Sequence, residues 1–256
     1  MNAKGWIGSE IVFDFDADHM KELRGKPNVK GGLLAEADWK VVKAKVEQLV
    51  DDFLLQDFGI DENDITINFS GNRGFHVRVR SSDYMDLGQE GRRRLVSYIN
   101  GADLDVDAVA ARLRSRKRVR DLAFSQPGWM ERIRRKIEDE KLSLEDAVAQ
   151  ASLDVDENVV LDLHRLIRHT NTLHAGTGLV VMPVARDSLD EFVPYEDAMI
   201  KTEEEVRIRL KDLRAFEGVD VAGIVLSPSM SSEVVRLPIS LAIFLTLKGL
   251  AELVEG

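Results

Sequence analysis

EIVFDFDADH, residues 10–19, is the stretch that decides how the rest of the chain is read. Ile11, Val12, Phe13 and Phe15 give it the β-branched and aromatic character of a strand. Side chains alternate along a strand, so Asp14 and Asp16 project from one face while Ile11, Phe13 and Phe15 take the other. Two residues of rise set the aspartates about 7 Å apart at Cα. Two anions held side by side repel, and hard divalent cations accept such oxygen ligands. A metal pair ~3.5–4 Å apart on such a face could clamp the attacking and leaving oxygens of a phosphoryl displacement. A lone DxD is equally an acidic, solvated strand face, so its surroundings carry the decision.

Working outward, residues 1–9 read as an entry segment with Trp6 as a packing residue, and His19 to Gly32 as a Lys-rich loop broken by Gly25, Pro27, Gly31 and Gly32. Asp38 is placed to cap a helix carrying Trp39, Val42, Val46, Leu49, Val50 and Phe53 on one stripe, ended by Gly59. Residues 65–69 and 75–80 flank SGNRG (70–74) as a hairpin, with Phe75, Val77 and Val79 inward and His76, Arg78 and Arg80 outward. Residues 87–150 switch to helical spacing and crowd basic side chains: Arg92, Arg93, Arg94, then Arg112, Arg114, Arg116, Lys117, Arg118, Arg120, then Arg132, Arg134, Arg135, Lys136. A short acidic run to Asp156 precedes an expected helix through Leu166 and Ile167. Leu173 to Val184 reads as loop, Gly-rich turn and strand. Arg186 to Glu217 reads as acidic and partly helical, Val219 to Leu226 as a buried strand, and Leu237 to Leu253 as a closing helix.

Composition bounds the function classes. The 256 residues are 44% hydrophobic and 31% charged, which suits a globular chain with a real core. There is no cysteine, hence no disulfide and no thiolate zinc site. The longest apolar run, near Leu237 to Leu247, is interrupted by Pro238 and Ser240 and falls short of a membrane span, so no membrane partner is expected. A net charge of −10 argues against a nucleic-acid coat protein, but not against an enzyme with a local basic groove.

Three clusters carry chemistry. The glycines of SGNRG allow a tight turn with exposed amides, a concavity suited to phosphate; Ser70 lies in it, Arg73 adds a bidentate fork and His76 a second donor. Asp156 is either a third metal ligand or an acidic residue ahead of a helix. Arg168 and His174, followed by Gly176 and Gly178, are cationic donors near flexible backbone.

The runs EIVFDFDADH (10–19), NFSGNRGFHVRV (68–79) and DENVVLDLHRLIRHTNTLHAGTGL (156–179), in this order, resemble the three signature blocks of the small, catalytic subunit of archaeal and eukaryotic DNA primases. The closing PISLAIFLTLKGLAEL resembles that family's C-terminal helix. The resemblance implies an α+β fold whose mixed or antiparallel sheets form a primase-like catalytic core from residues 1–86 and 151–256, with 87–150 as a basic helical insertion. It implies metal-holding, catalytic aspartates at Asp14, Asp16 and Asp156, and nucleotide contacts at Ser70, Arg73, His76, Arg168 and His174. It further implies Mg²⁺ or Mn²⁺ without zinc, a single-stranded DNA template, nucleoside triphosphates and a large primase subunit. The expected location is the cytoplasm of an archaeal-type cell, or a nucleus if the source is eukaryotic.

Two departures from the family pattern stand out. The family's cysteine-rich zinc knob has no counterpart in the short loop after the DxD strand. The run MNAKGWIGSE resembles an internal segment of the family, which implies a truncated chain or half of a split enzyme whose front is a separate polypeptide. Haloacid-dehalogenase-like phosphatases also open with a DxD strand, but they carry Thr or Val where this chain has Asp18, and they leave SGNRG unexplained. A primase-like subunit that binds nucleic acid or partners without catalysis is the non-enzyme alternative; the three intact aspartates argue against it.

Overall fold

The alternation of the opening stretch is realised in β1 (Ile11–Asp16), where Ile11, Phe13 and Phe15 are buried and the intervening residues half-buried. The computed structural model describes residue 5 and residues 7–114 and 128–254; Trp6, Arg116, Lys117, Arg118 and Arg120 lie outside the described residues, as do the side chains of Arg112 and Arg114. After β1 come α1 (Pro27–Lys30), α2 (Glu36–Gln48), β2 (Ile65–Phe69) and β3 (Gly74–Val79). Helices α3 (Gln89–Asn100), α4 (Val106–Arg114), α5 (Trp129–Asp139), α6 (Leu144–Ala151) and α7 (Glu157–Leu161) follow. The chain then forms β4 (Thr172–Leu173), β5 (Val180–Val184), α8 (Pro194–Asp197), β6 (Glu205–Leu210), β7 (Asp220–Val221), β8 (Ile224–Val225), β9 (Val234–Pro238), α9 (Ile239–Leu247) and β10 (Ala251–Leu253).

The fold is α+β. One sheet has the order β1-β3-β2-β5-β4, with β5 antiparallel to both β2 and β4. A second has the order β10-β6-β9 and is antiparallel throughout. Two compact units result: Met1–Phe13, Lys45–Ile65 and Val79–Arg165 in the first, Asp14–Ala44, Thr66–Arg78 and Leu166–Gly256 in the second. The helical segment 87–150 belongs to the first.

In the second unit the core is aromatic. Trp39 meets Phe69, Phe75 and Tyr195 edge-on, with ring centroids 6.0, 6.2 and 5.8 Å away. Phe192 closes on Phe69 and Phe75, and Tyr195 on Phe244. Such pairs add ~0.5–1.5 kcal/mol each beyond area burial. Tyr195 satisfies its hydroxyl by accepting from the Leu34 amide at 2.7 Å.

The first unit turns some of the arginines of its basic helical segment inward. Arg132 is buried, its guanidinium 4.1 Å over the Phe53 ring, and donates at 2.6 Å to Asp57, which also accepts from the Tyr98 hydroxyl at 2.9 Å. Arg92 is buried among backbone carbonyls. Arg93, Arg94 and Arg135 remain surface residues paired with acids.

Several element boundaries differ from the sequence pattern. α2 begins at Glu36, so Asp38 sits inside the first turn; its carboxylate instead gathers Ala35 N–H, Asn28 Nδ2 and Lys26 Nζ, pinning the preceding loop. The 19–32 loop contains α1, where Pro27 supplies the helical φ at its first position. α2 runs on as a π-helix, Leu49–Asp57, before Gly59 turns left-handed at φ +65. α7 stops at Leu161 because the Asp162 carboxylate takes the His164 amide in a local turn, leaving Leu166 exposed. Within 186–217 the alternation of Val206, Ile208 and Leu210 makes strand β6. The 219–226 run folds back on itself, because Ala222 and Gly223 take φ +52 and +83, the primed-turn geometry of a two-residue hairpin. The closing helix ends at Leu247, and Gly249 at φ +74 redirects the chain into β10. Among the described residues no helix is long and apolar enough to cross a membrane.

Candidate functional site

Two glycines of SGNRG make the site. A Cβ on Gly74 would lie 1.6 Å from the Phe15 carbonyl oxygen, so only glycine lets β3 start against β1 beside the aspartates. Gly71, at φ +82, admits the His174 loop: a Cβ there would lie 2.7 Å from His174 Cβ. Buried Thr177 locks that approach, its hydroxyl donating to the Gly71 carbonyl at 2.6 Å and accepting from the Leu179 amide at 3.1 Å. The Arg73 carbonyl accepts from Ala17 N–H at 3.3 Å, tying the turn to the end of β1.

Charge converges on this turn. Arg73 Nη2 lies 3.2 Å from a carboxylate oxygen of Asp16 and 3.2 Å from one of Asp18, while its buried Nε has no hydrogen-bond partner. Asp16 uses its other oxygen to accept from Asp18 N–H at 3.0 Å. His76 Nε2 stands 3.7 Å from Asp14 Oδ1. Its side chain is only 7% exposed, so the face that alternation assigns as outward is covered at this position. Arg168 Nη1 donates to the Ser70 carbonyl at 3.5 Å, the outer edge of hydrogen-bond range. Lys248, just past α9, donates from Nζ to Asn72 Oδ1 at 2.7 Å.

His174 accepts at Nδ1 from the Gly176 amide at 3.1 Å, so its neutral ring carries the proton on Nε2 and can donate there. Burial, then the Arg168 and Lys248 cations, hold its pKa down at about 4 against the pull of Asp16. Burial and the neighbouring Arg73 likewise lower Lys248 to about 8. The folded chain thus keeps His174 neutral where the unfolded chain, at its ordinary 6.5, takes up a proton. This contribution to stability is full above 6.5 and falls away as pH drops toward 4. Denaturant midpoints measured at about pH 7.5 and about pH 5 should therefore differ more for the parent chain than for His174→Gln.

Seven of the eight site residues expected from sequence lie in the second unit: Asp14, Asp16, Ser70, Arg73, His76, Arg168 and His174. Asp156 lies in the first, where its carboxylate caps α7 by accepting from Asn158 N–H at 2.9 Å. Among the described residues no group of three or more carboxylates and imidazoles forms a cluster able to hold a metal ion. Lys248 was not legible as a site residue, since a lysine at a helix end ordinarily complements the helix dipole.

A family model described as DNA primase small subunit matches residues 13–186, a span that contains all eight residues. The chain is 33% identical over 210 residues to the DNA primase small subunit PriS of Thermoplasma acidophilum, covering 78% of this chain and 61% of that protein. The corresponding subunit of Hyperthermus butylicus is 32% identical, covering 100% of this chain and 77% of that protein. That of Pyrobaculum aerophilum is 36% identical over 197 residues, covering 76% and 58%. The chain spans about 60% of the length of the two Thermoplasma relatives it matches.

Proposed function

The chain belongs to the DNA primase small-subunit family, and from that premise we propose that it is the catalytic subunit of a primase, joining nucleotides on a single-stranded DNA template. The observation that carries this reading is the convergence of Arg73, Arg168 and His174, from separate segments, on the turn seated against the DxD strand. Asp14 and Asp16, side by side on one face of β1, would hold Mg²⁺ or Mn²⁺; their donors are all carboxylate oxygen, which suits a hard cation. When bound, such a cation supplies Lewis-acid stabilisation to the oxygens of the transferring phosphoryl group.

The chain's own residues do the rest. The Ser70 hydroxyl and the turn amides cradle phosphate oxygens, and the buried, unpartnered Arg73 Nε adds a donor whose hydrogen-bond capacity the protein itself leaves unused. Arg168, against the Ser70 carbonyl, and the Nε2–H of His174, whose loop packs on Gly71, add two further donors beside the turn. As the 3′-hydroxyl of one nucleotide attacks the α-phosphate of the next, these donors stabilise the charge growing on the departing pyrophosphate. Single-stranded DNA, nucleoside triphosphates and a large primase subunit are the partners this reading assigns.

The test is Arg73→Ala. A charge-assisted contact is worth ~1.5–3 kcal/mol, so nucleoside triphosphate should bind roughly tenfold or more weakly. Monophosphate, which lacks the distal phosphates, should lose less. Equal losses for the two ligands in a calorimetric titration would count against a triphosphate site.

A further inference from the structure

We propose that Lys248 is a further phosphate-binding residue, an ammonium held beside Arg73 to receive the triphosphate of the incoming nucleotide. The inference rests on the nucleotide-site reading above and extends it to a residue beyond the matched family span, which ends at 186.

Three separate segments make room for this side chain. It leaves the C-terminus of α9; its Nζ lies 3.0 Å from where a Cβ on Gly32 would stand, at φ +87; and it ends on Asn72 inside the SGNRG turn at 2.7 Å. A lysine serving only the helix dipole would stay near the last carbonyls of its helix. Here the ammonium crosses instead to the turn that carries Arg73. A lysine serving only to tether the turn would not need its charge, because its partner is the neutral amide of Asn72. The charge is costly where it stands. Lys248 is half-buried: burial first, then the Arg73 guanidinium, lower its pKa against the pull of Asp16, and its charge helps to depress that of His174. Arg73, though paired with Asp16 and Asp18 at 3.2 Å, and Lys248 are like charges held close together, and an arriving polyanion favours both.

The decisive variant is Lys248→Gln, which keeps a hydrogen-bonding group near Asn72 but removes the charge. Lys248→Arg and Asn72→Ala are its companions, and Arg73→Ala is the control for the site itself. Each is made in the full 256-residue chain, checked for an unchanged thermal midpoint, and titrated with nucleoside triphosphate and monophosphate in the presence of Mg²⁺. Lys248→Gln should weaken triphosphate binding roughly tenfold, with a smaller loss for monophosphate. Lys248→Arg should restore most of the affinity, and Asn72→Ala should hold triphosphate within about twofold of the parent. Unchanged triphosphate affinity in Lys248→Gln alongside a weakened Arg73→Ala would overturn the assignment of Lys248 and leave the site standing. An equal loss in Asn72→Ala would reduce Lys248 to a tether of the turn. Failure of Arg73→Ala itself to separate triphosphate from monophosphate would sink the site reading, and the inference with it.

Discussion

Asp14→Asn is expected to abolish nucleotide incorporation while leaving the chain as stable as the parent, or more so. The exchange keeps the shape of the side chain and its place on β1 but removes one of two carboxylates on one half-buried face. Relief of like-charge repulsion offsets the lost approach of His76 at 3.7 Å. If the carboxylate holds a catalytic cation, several kcal/mol of transition-state stabilisation go with it, and ~4 kcal/mol is already about a thousandfold in rate. Asp16→Asn should be equally inactive but slightly less stable, because it gives up the contact with Arg73 at 3.2 Å. Asp156→Asn is the sharpest of the three. Asparagine caps a helix about as well as aspartate, so the α7 cap survives and an activity loss would report a role for the carboxylate beyond the cap. The assay is radiolabelled incorporation on single-stranded template with a large primase subunit supplied, run beside thermal scans. Incorporation above about a tenth of the parent's in Asp14→Asn would remove the basis for two-carboxylate catalysis on this strand.

Where period and turn chemistry act locally, the fold could be read in advance. The alternation of residues 11–16 and the hairpin about SGNRG appear where the pattern places them, because one buried face fixes strand register. Arg73, Arg168 and His174 were legible as donors because their types and glycine neighbours already suit phosphate. Tertiary context decided the rest. His76 sits at an outward position of its strand, yet the chain around it covers it. Lys248 enters the site only because Gly32 leaves space and Asn72 lies within reach, and a single sequence does not display that juxtaposition. Strand β6 was hidden by charge: Glu205, Arg207 and Arg209 dominate the composition of a segment whose other three residues supply the period of two. In the arginine-rich helices, charge at helical spacing does not display which guanidinium turns inward, as those of Arg92 and Arg132 do.

Arg92 shows how far inward, and Arg92→Met is expected to lower the thermal midpoint of the first unit by roughly 10 °C, from ~3–5 kcal/mol lost. The side chain is 1% exposed, and its guanidinium donates to the carbonyls of Leu87, Glu10, Val160 and Ser9 and to the Ser9 hydroxyl, at 2.7 to 3.2 Å. Methionine fills much of the volume but donates nothing, so the buried Val160 carbonyl and three part-buried ones lose their partner at once, and a buried orphan alone costs ~1–3 kcal/mol. Arg93→Met is the matched control: that side chain is 55% exposed and pairs with Glu90 and Glu157 at 3.3 Å, so its loss should stay within about 0.5 kcal/mol. Calorimetric scans of the two variants against the parent make the comparison, and a midpoint for Arg92→Met within about 2 °C of the parent would refute the structural role. The consequence for activity follows from which carbonyls are held. Glu10 immediately precedes β1, the strand of Asp14 and Asp16, and Val160 lies in α7, the helix that Asp156 caps. One guanidinium therefore ties the backbone leading into the DxD strand to the helix that follows the third aspartate. Arg92→Met should lose incorporation even at temperatures where it remains folded, whereas Arg93→Met should not.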